Sequence, residues 1–135
     1  MKISGRLLDE VLAHVREDPE NECCGVVEVE PGSPARAVGV HRAVNVHASP
    51  LKFEIDPKEL LELHNAIEAA GHMLGAIYHS HVRSEPYPSQ TDVNFAANWP
   101  GVEWVIVGLA GPDAPEIRSY LIDGGRVREV ALERE

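Results

Sequence analysis

The sequence contains very little cysteine, few aromatic residues and no long hydrophobic run. Its two cysteines, Cys23 and Cys24, are adjacent, and neighbouring cysteines seldom form a disulfide with each other. Two cysteines are also too few for a secreted disulfide scaffold, and they do not form a C-x-x-C zinc pattern. We expect both to be buried and reduced beside a strand, with a reactive thiol near a functional site as the alternative.

No apolar run approaches the ~20 residues of a membrane-spanning helix. The first residues also lack the hydrophobic region of a signal peptide, so we expect a cytoplasmic protein. A hydrophobic content of 44% and a charged content of 25% are typical of a globular protein. The length of 135 residues predicts one domain, over residues 1–135, with a core that needs no disulfides.

Basic residues are scarce. The chain has 12 Lys and Arg against 22 Asp and Glu, a net charge of −10. Nucleic acids and anionic membranes bind basic surfaces, so the composition argues against both kinds of partner. A neutral or basic protein partner fits the charge better, although charge of this size also serves solubility alone.

Periodicity and turn signals predict an α/β fold of the mixed α+β kind. Ser4 is a candidate N-cap, and Asp56-Pro57 supplies an N-cap followed by an N1 proline. The predicted helices cover residues 4–18, 56–71 and 91–98, and the predicted strands cover 23–29, 37–46, 73–78, 102–109, 117–122 and 126–132. Two long helices, a short one and about six strands predict a mixed sheet with helices packed on its faces.

One motif dominates the sequence: His79-Ser80-His81, then seven residues, then Ser89-x-x-Asp92. Side chains alternate along a strand, so the two histidines point the same way, about 6.6 Å apart along the strand. Asp92 falls in the first turn of a helix opened by Ser89, which brings a carboxylate toward the imidazoles. Two His and one carboxylate around an open position are the ligand set of a catalytic zinc ion.

Each part of this motif also has an ordinary structural interpretation. A single histidine at a strand end is usually solvated or hydrogen-bonded, and Ser89 with Asp92 alone is more typical of a helix cap. His64, on the apolar stripe of the second helix, is better explained as a histidine at the edge of the core than as a ligand. The complete pattern, however, would occur in roughly one shuffled sequence in a thousand. Capping and metal ligation are also compatible, and the combination favours a metal site.

Hydrolysis at such a site needs a carboxylate that accepts a proton from water. The H-E-x-x-H pattern, which supplies that glutamate from within a helix, does not occur here. Glu22 is the best candidate, because it precedes a predicted strand that could lie beside the histidine strand. By its sequence context alone, it is one of many glutamates.

Three segments together resemble the JAMM (MPN-plus) metallopeptidases. They are Glu22-Cys23-Cys24-Gly25-Val26-Val27, Ile77-Tyr78-His79-Ser80-His81 and Tyr87-Pro88-Ser89-Gln90-Thr91-Asp92-Val93. The resemblance implies a three-layer α-β-α sandwich similar to cytidine deaminases, and one Zn²⁺ held by His79, His81 and Asp92. It also implies that Glu22 is the general acid/base and that Ser89 donates to the oxyanion of the tetrahedral intermediate.

The resemblance further implies cleavage after the C-terminal Gly-Gly of a ubiquitin-like protein. The compact chain is most similar to bacterial Mec-type members, which release cysteine from a ubiquitin-like sulfur carrier. General processing or deconjugation of another ubiquitin-like protein is an alternative, and a non-catalytic MPN interaction module is a weaker one. The sequence leaves the oligomeric state open, with a homodimer as one alternative. We expect residues 82–87 to influence specificity, with Tyr87 and Trp99 as groove walls or Trp99 as a core residue.

Overall fold

A single mixed sheet of eight strands organises the chain in a computed structural model, which describes residues 1–135. The strands are β1 (Lys2–Ile3), β2 (Cys24–Glu30), β3 (Arg36–Ala43), β4 (Met73–His81), β5 (Glu103–Gly108), β6 (Glu116–Asp123), β7 (Arg126–Val130) and β8 (Glu133–Arg134). Their order across the sheet is β7-β6-β5-β4-β2-β3-β1-β8. The helices are α1 (Gly5–Glu17), α2 (Pro57–Ala69) and α3 (Gln90–Ala96).

Helices cover both faces of the sheet, which confirms the predicted three-layer arrangement. The apolar stripe of α1 packs on one face and consists of Leu7, Leu8, Val11 and Val15. Leu60 and Ile67 of α2 and Ala96 of α3 belong to the core on the other face. Because side chains alternate along a strand, the central strand β4 contributes to both cores: Ile77 faces α2 and α3, and Tyr78 faces α1.

The strands that matter for the site are the central ones. β4 pairs in parallel with β5 and antiparallel with β2. The end of β4 therefore lies beside the start of β2, and Cys24 pairs with His79. After β4 the chain forms a loop, continues into α3 and returns as β5, so the first turn of α3 also lies near the end of β4.

The N-cap residues predicted from the sequence are found at the starts of α1 and α2. The Ser4 hydroxyl accepts the backbone N–H of Leu7, and the Asp56 carboxylate accepts that of Lys58. These contacts satisfy amide groups that have no partner inside a helix. The third helix begins and ends one or two residues earlier than predicted, the usual uncertainty at helix ends.

The two cysteines are as predicted: Cys23 and Cys24 are free and buried. None of the helices has the length and apolar character needed to cross a membrane. His64 is half-buried, 3.4 Å from Glu68 and edge-on to Trp99, so it lies outside the ligand cluster. The sequence prediction missed β1 and β8, each two residues long, because only their pairing with other strands defines them.

Candidate active site

Two buried imidazoles form the base of the site. His79 and His81 lie two residues apart on β4 and face the same side of the sheet. Their Nε2 atoms are 3.1 Å apart, and both residues are almost completely buried. The strand prediction, that the two rings would converge on one point, is therefore confirmed by the structure.

Asp92 reaches the same point from α3. Its Oδ2 atom lies 3.2 Å from Nε2 of His79 and 3.5 Å from Nε2 of His81. A capping box fixes this carboxylate, because Oδ2 accepts the Ser89 N–H at 2.9 Å while the Ser89 hydroxyl accepts the Asp92 N–H at 3.2 Å. Capping and convergence on the imidazoles thus occur together, as the sequence predicted.

Glu22 reaches the imidazoles from the loop before β2. One of its carboxylate oxygens, one ring nitrogen of His79 and one of His81 all lie within 4.8 Å of one another. The residue is only 6% exposed. Burial raises the pKa of Glu22 to about 7, although the charge of His81 opposes the shift. A carboxyl group with such a pKa is suited to proton exchange near neutral pH.

Hydrogen bonding determines which atoms of the cluster offer lone pairs. The Glu85 carbonyl can only accept, and it lies 2.9 Å from Nδ1 of His81, so Nδ1 carries the proton. In the neutral ring, Nε2 of His81 then presents its lone pair to the site. Burial alone would raise the pKa of Asp92, but the electrostatic effect of His79, together with hydrogen bonding that includes the Ser89 N–H, holds it far below its usual value. Asp92 is therefore a carboxylate.

The surroundings support the cluster in ways that the sequence prediction missed. The ring of Phe53 stacks on His79, with centroids 4.2 Å apart and an interplanar angle of 26°. The Tyr120 hydroxyl donates to the Pro86 carbonyl at 2.5 Å and so anchors the loop that supplies the His81 acceptor. No local signal identifies either residue, because both contacts join segments that are far apart in the chain.

The loop residues expected to line a substrate groove have different settings. Tyr87 is exposed and stands edge-on to Tyr120, with centroids 5.5 Å apart. Trp99 packs against the core on the α2 side, which agrees with its interpretation as a core residue. Ser89 is an exposed residue, and its hydroxyl caps α3 by accepting the Asp92 N–H.

The donor set fits a divalent metal ion. Two imidazole Nε2 atoms and one carboxylate oxygen converge within 3.5 Å of one another in a buried position. Such groups crowd together without an ion only if protons separate them, whereas a cation would satisfy all three lone pairs at once. Glu22 adds a second carboxylate near the two imidazoles. The arrangement combines residues that could hold a metal ion with a carboxyl group that can exchange protons. Metal-dependent hydrolases use both features.

Comparison with known proteins leads to the same class. The chain is 37% identical over 129 residues to the CysO-cysteine peptidase of Mycobacterium tuberculosis, covering 94% of this chain and 86% of that protein. It is 38% identical over 130 residues to the desampylase of Haloferax volcanii, covering 92% and 88%. A probable TtuB-protein conjugate cleaving protease from Thermus thermophilus is 37% identical over 130 residues, covering 93% and 77%.

Solved structures share the fold. A protein from Desulfitobacterium hafniense superimposes with a TM-score of 0.86 at 28% identity, covering 99% of this chain and 92% of that one. A JAB1/MPN domain protein from Archaeoglobus fulgidus superimposes with a TM-score of 0.63 at 19% identity, covering 100% and 96%.

The family match and the relatives named as a peptidase and a desampylase show that the chain is a hydrolase. The family model described as prokaryotic homologs of the JAB domain matches residues 4–123, and the chain belongs to this family. The resemblance to JAMM peptidases inferred from the motif is thereby confirmed.

Proposed function

We propose that this chain is a zinc-dependent peptidase that cleaves after the C-terminal Gly-Gly of a ubiquitin-like sulfur carrier and releases cysteine. The observation that carries the proposal is the convergence of His79, His81 and Asp92 on one point with Glu22 beside them. The similarity to a CysO-cysteine peptidase over 94% of the chain supports the substrate class.

His79, His81 and Asp92 would hold the zinc ion, since two nitrogen donors and one oxygen donor leave a position open in a tetrahedral zinc site. The ion would supply Lewis-acid polarisation of a carbonyl group and would lower the pKa of water. Glu22 accepts the proton from the attacking water and delivers it to the leaving amine. The hydroxyl of Ser89, an exposed residue whose Oγ accepts the Asp92 N–H, donates a hydrogen bond to the oxygen on which negative charge develops.

The carrier's tail suits a narrow approach to these groups. Glycine lacks a Cβ, so a diglycine tail can pass closer to the walls of a cleft than any other dipeptide. An extended tail could also pair with a strand edge through its backbone, which provides affinity without reading side chains.

A second function keeps the chemistry and changes the leaving group. The chain is as similar to the Haloferax desampylase and to the Thermus conjugate-cleaving protease as to the cysteine-releasing enzyme. Cleavage of a ubiquitin-like protein from a protein lysine is therefore the alternative that the comparisons favour.

The test uses zinc-loaded protein and two substrates made from one ubiquitin-like carrier. The first ends in Gly-Gly-Cys, and the second is joined through Gly-Gly to a lysine side chain of a reporter protein. We expect the first to lose one cysteine residue by mass spectrometry, and the loss to stop on adding a chelator. Glu22→Gln should slow the reaction by at least about 10²-fold, the usual contribution of a general base, without loss of zinc.

Cleavage of only the lysine-linked substrate would favour the alternative. Absence of cleavage of both substrates, or cleavage that chelator leaves unchanged, would contradict the proposed chemistry. A Glu22→Gln variant with wild-type turnover would remove Glu22 from its role while leaving the metal assignment intact.

A further inference from the structure

The peptide that carries Glu22 lies beyond the end of the sheet. The regular pairing of β2 with β4 begins at Cys24 and His79, so Glu22 precedes it by two residues. The carboxylate must nevertheless remain within 4.8 Å of two imidazole nitrogens that belong to β4. Contacts beyond the regular β2–β4 pairing therefore help to fix the position of this residue.

All four backbone polar groups of Glu22 and Cys23 have partners. The Glu22 N–H donates to the Ser49 carbonyl at 2.8 Å, and the Cys23 carbonyl accepts the Ser80 N–H at 3.0 Å. The other two groups are held by side chains: the Glu22 carbonyl by Asn45 and the Cys23 N–H by Ser80. The backbone around the carboxylate is thus held from two different segments of the chain.

Asn45 uses the full hydrogen-bonding capacity of its amide. Its Nδ2 donates to the carbonyls of Glu22 at 3.0 Å and Lys52 at 3.1 Å. Its Oδ1 accepts the N–H groups of His47 and Glu54, both at 3.1 Å. Only a carboxamide offers two donors and two acceptors on one short side chain, so Asn45 ties the segment 45–54 to the Glu22 peptide.

Ser80 joins the same peptide to the histidine strand. It lies between His79 and His81 and is completely buried. Because alternate residues of a strand point to opposite faces, its hydroxyl faces away from the two imidazoles. There its Oγ accepts the Cys23 N–H at 2.9 Å. One tripeptide therefore carries both rings and also holds the residue next to Glu22.

From these hydrogen bonds we infer that Asn45 and Ser80 are positioning residues. They hold the Glu22 carboxylate at the distance from the two imidazoles that its proposed role requires. The inference depends on the role proposed for Glu22. Neither side chain hydrogen-bonds to the converging donor atoms. Both act through the backbone of Glu22 and Cys23.

The first experiment compares Asn45→Ala and Ser80→Ala with the wild type on the cleaved carrier substrate. We expect kcat to fall about 10- to 100-fold, the scale of loss expected when a catalytic group shifts by roughly an ångström. KM and bound zinc should stay within twofold, because both residues act through the backbone of Glu22 and Cys23 and not through the donor atoms. Ser80→Thr keeps the accepting oxygen and should restore kcat to within a few-fold.

Asn21→Ala is the matched control. Asn21 directly precedes Glu22, but its amide donates to Asp18 at 3.2 Å and not to the Glu22 peptide. Its removal should leave kcat unchanged. Asn45→Asp is a second test of the hydrogen bonds made by Asn45. The change keeps the shape and the acceptors of the side chain and removes both donors. It should lose kcat as Asn45→Ala does.

A double-mutant cycle separates this inference from the proposed function. If Asn45 acts through Glu22, then Asn45→Ala added to Glu22→Gln should reduce the residual rate by less than twofold, because groups that act as a unit are not additive. Multiplied losses would overturn the positioning role while Glu22 remains the base. Unfolding or zinc loss in both Asn45 variants would also overturn it, since the residue would then be merely structural. Wild-type turnover in Glu22→Gln alone would instead overturn the role proposed for Glu22.

Discussion

Asp92 serves two purposes with one oxygen atom. Its Oδ2 accepts the Ser89 N–H at 2.9 Å, and it lies within 3.5 Å of both imidazole Nε2 atoms. The capping box therefore orients the carboxylate before any ion binds, which lowers the conformational entropy lost on binding. At the residue scale, a motif typical of helix starts has become part of a chemical site.

Ser89→Ala tests whether the hydroxyl does more than cap α3. We expect a loss of about 0.5–2 kcal/mol of stability from the missing cap, and a fall in kcat of about 10²–10³ from the missing oxyanion donor. Bound zinc should not change, because the Ser89 N–H that holds Asp92 belongs to the backbone and remains. Chemical denaturation, peptidase rates and metal analysis measure the three quantities.

Ser4→Ala is the control for this prediction. Ser4 caps α1 by accepting the Leu7 N–H, and it has no part in the site. It should lose a similar amount of stability with full activity. Equal activity in the Ser4→Ala and Ser89→Ala variants would restrict Ser89 to capping.

At the scale of elements, the close approach of β2 to the buried Tyr78 of β4 determines how the two site-bearing strands pack. A Cβ on Gly25 would come within 2.5 Å of the Tyr78 ring and of the His41 carbonyl oxygen. Tyr78 has little freedom to move away, because its hydroxyl is 2.6 Å from Nδ1 of His14 on α1. Glycine at this position thus allows β2 to carry Glu22 to the histidine strand.

Gly25→Ala should lower the free energy of unfolding by about 1–3 kcal/mol or more, the usual effect of overpacking a core. Gly5→Ala places the same methyl group where nothing lies within 4 Å, in the first turn of α1, and should leave stability unchanged or raise it by up to ~1 kcal/mol. Urea unfolding of both variants measures the difference. Equal stabilities would show that the sheet adjusts without strain around Tyr78.

Elements whose signals are local could be predicted from the sequence. Asp56-Pro57 contains both a cap and an N1 proline, and α2 begins there. The strand with His79 and His81 was also predictable, since alternation alone places both rings on one face. The hydrogen bonds that hold Glu22 were not predictable. Asn45 bonds to Glu22, Lys52 and Glu54, and no local sequence pattern indicates that these residues meet.

At the scale of the whole molecule, sheet order explains why the site forms where it does. β2 and β4 are neighbours although α2 and β3 separate them in the chain. Because these strands are adjacent, Glu22 before β2 lies near His79 and His81 on β4. The chain after β4 then brings Asp92 to the same point. Strand order is a long-range property, so the sequence indicated the ligands more directly than the approach of the base. The net charge of −10 favours a neutral or basic partner protein; the homodimer and the cytoplasmic location stay predictions.

The central claim is that His79, His81 and Asp92 hold one zinc ion, and metal analysis of zinc-supplemented, dialysed protein tests it most directly. We expect about one zinc ion per chain in the wild type, in Glu22→Gln and in the control His64→Ala, which alters a histidine outside the cluster. We expect a marked loss in His79→Ala, His81→Ala and Asp92→Ala. Zinc content at the wild-type level in those three variants would contradict the account.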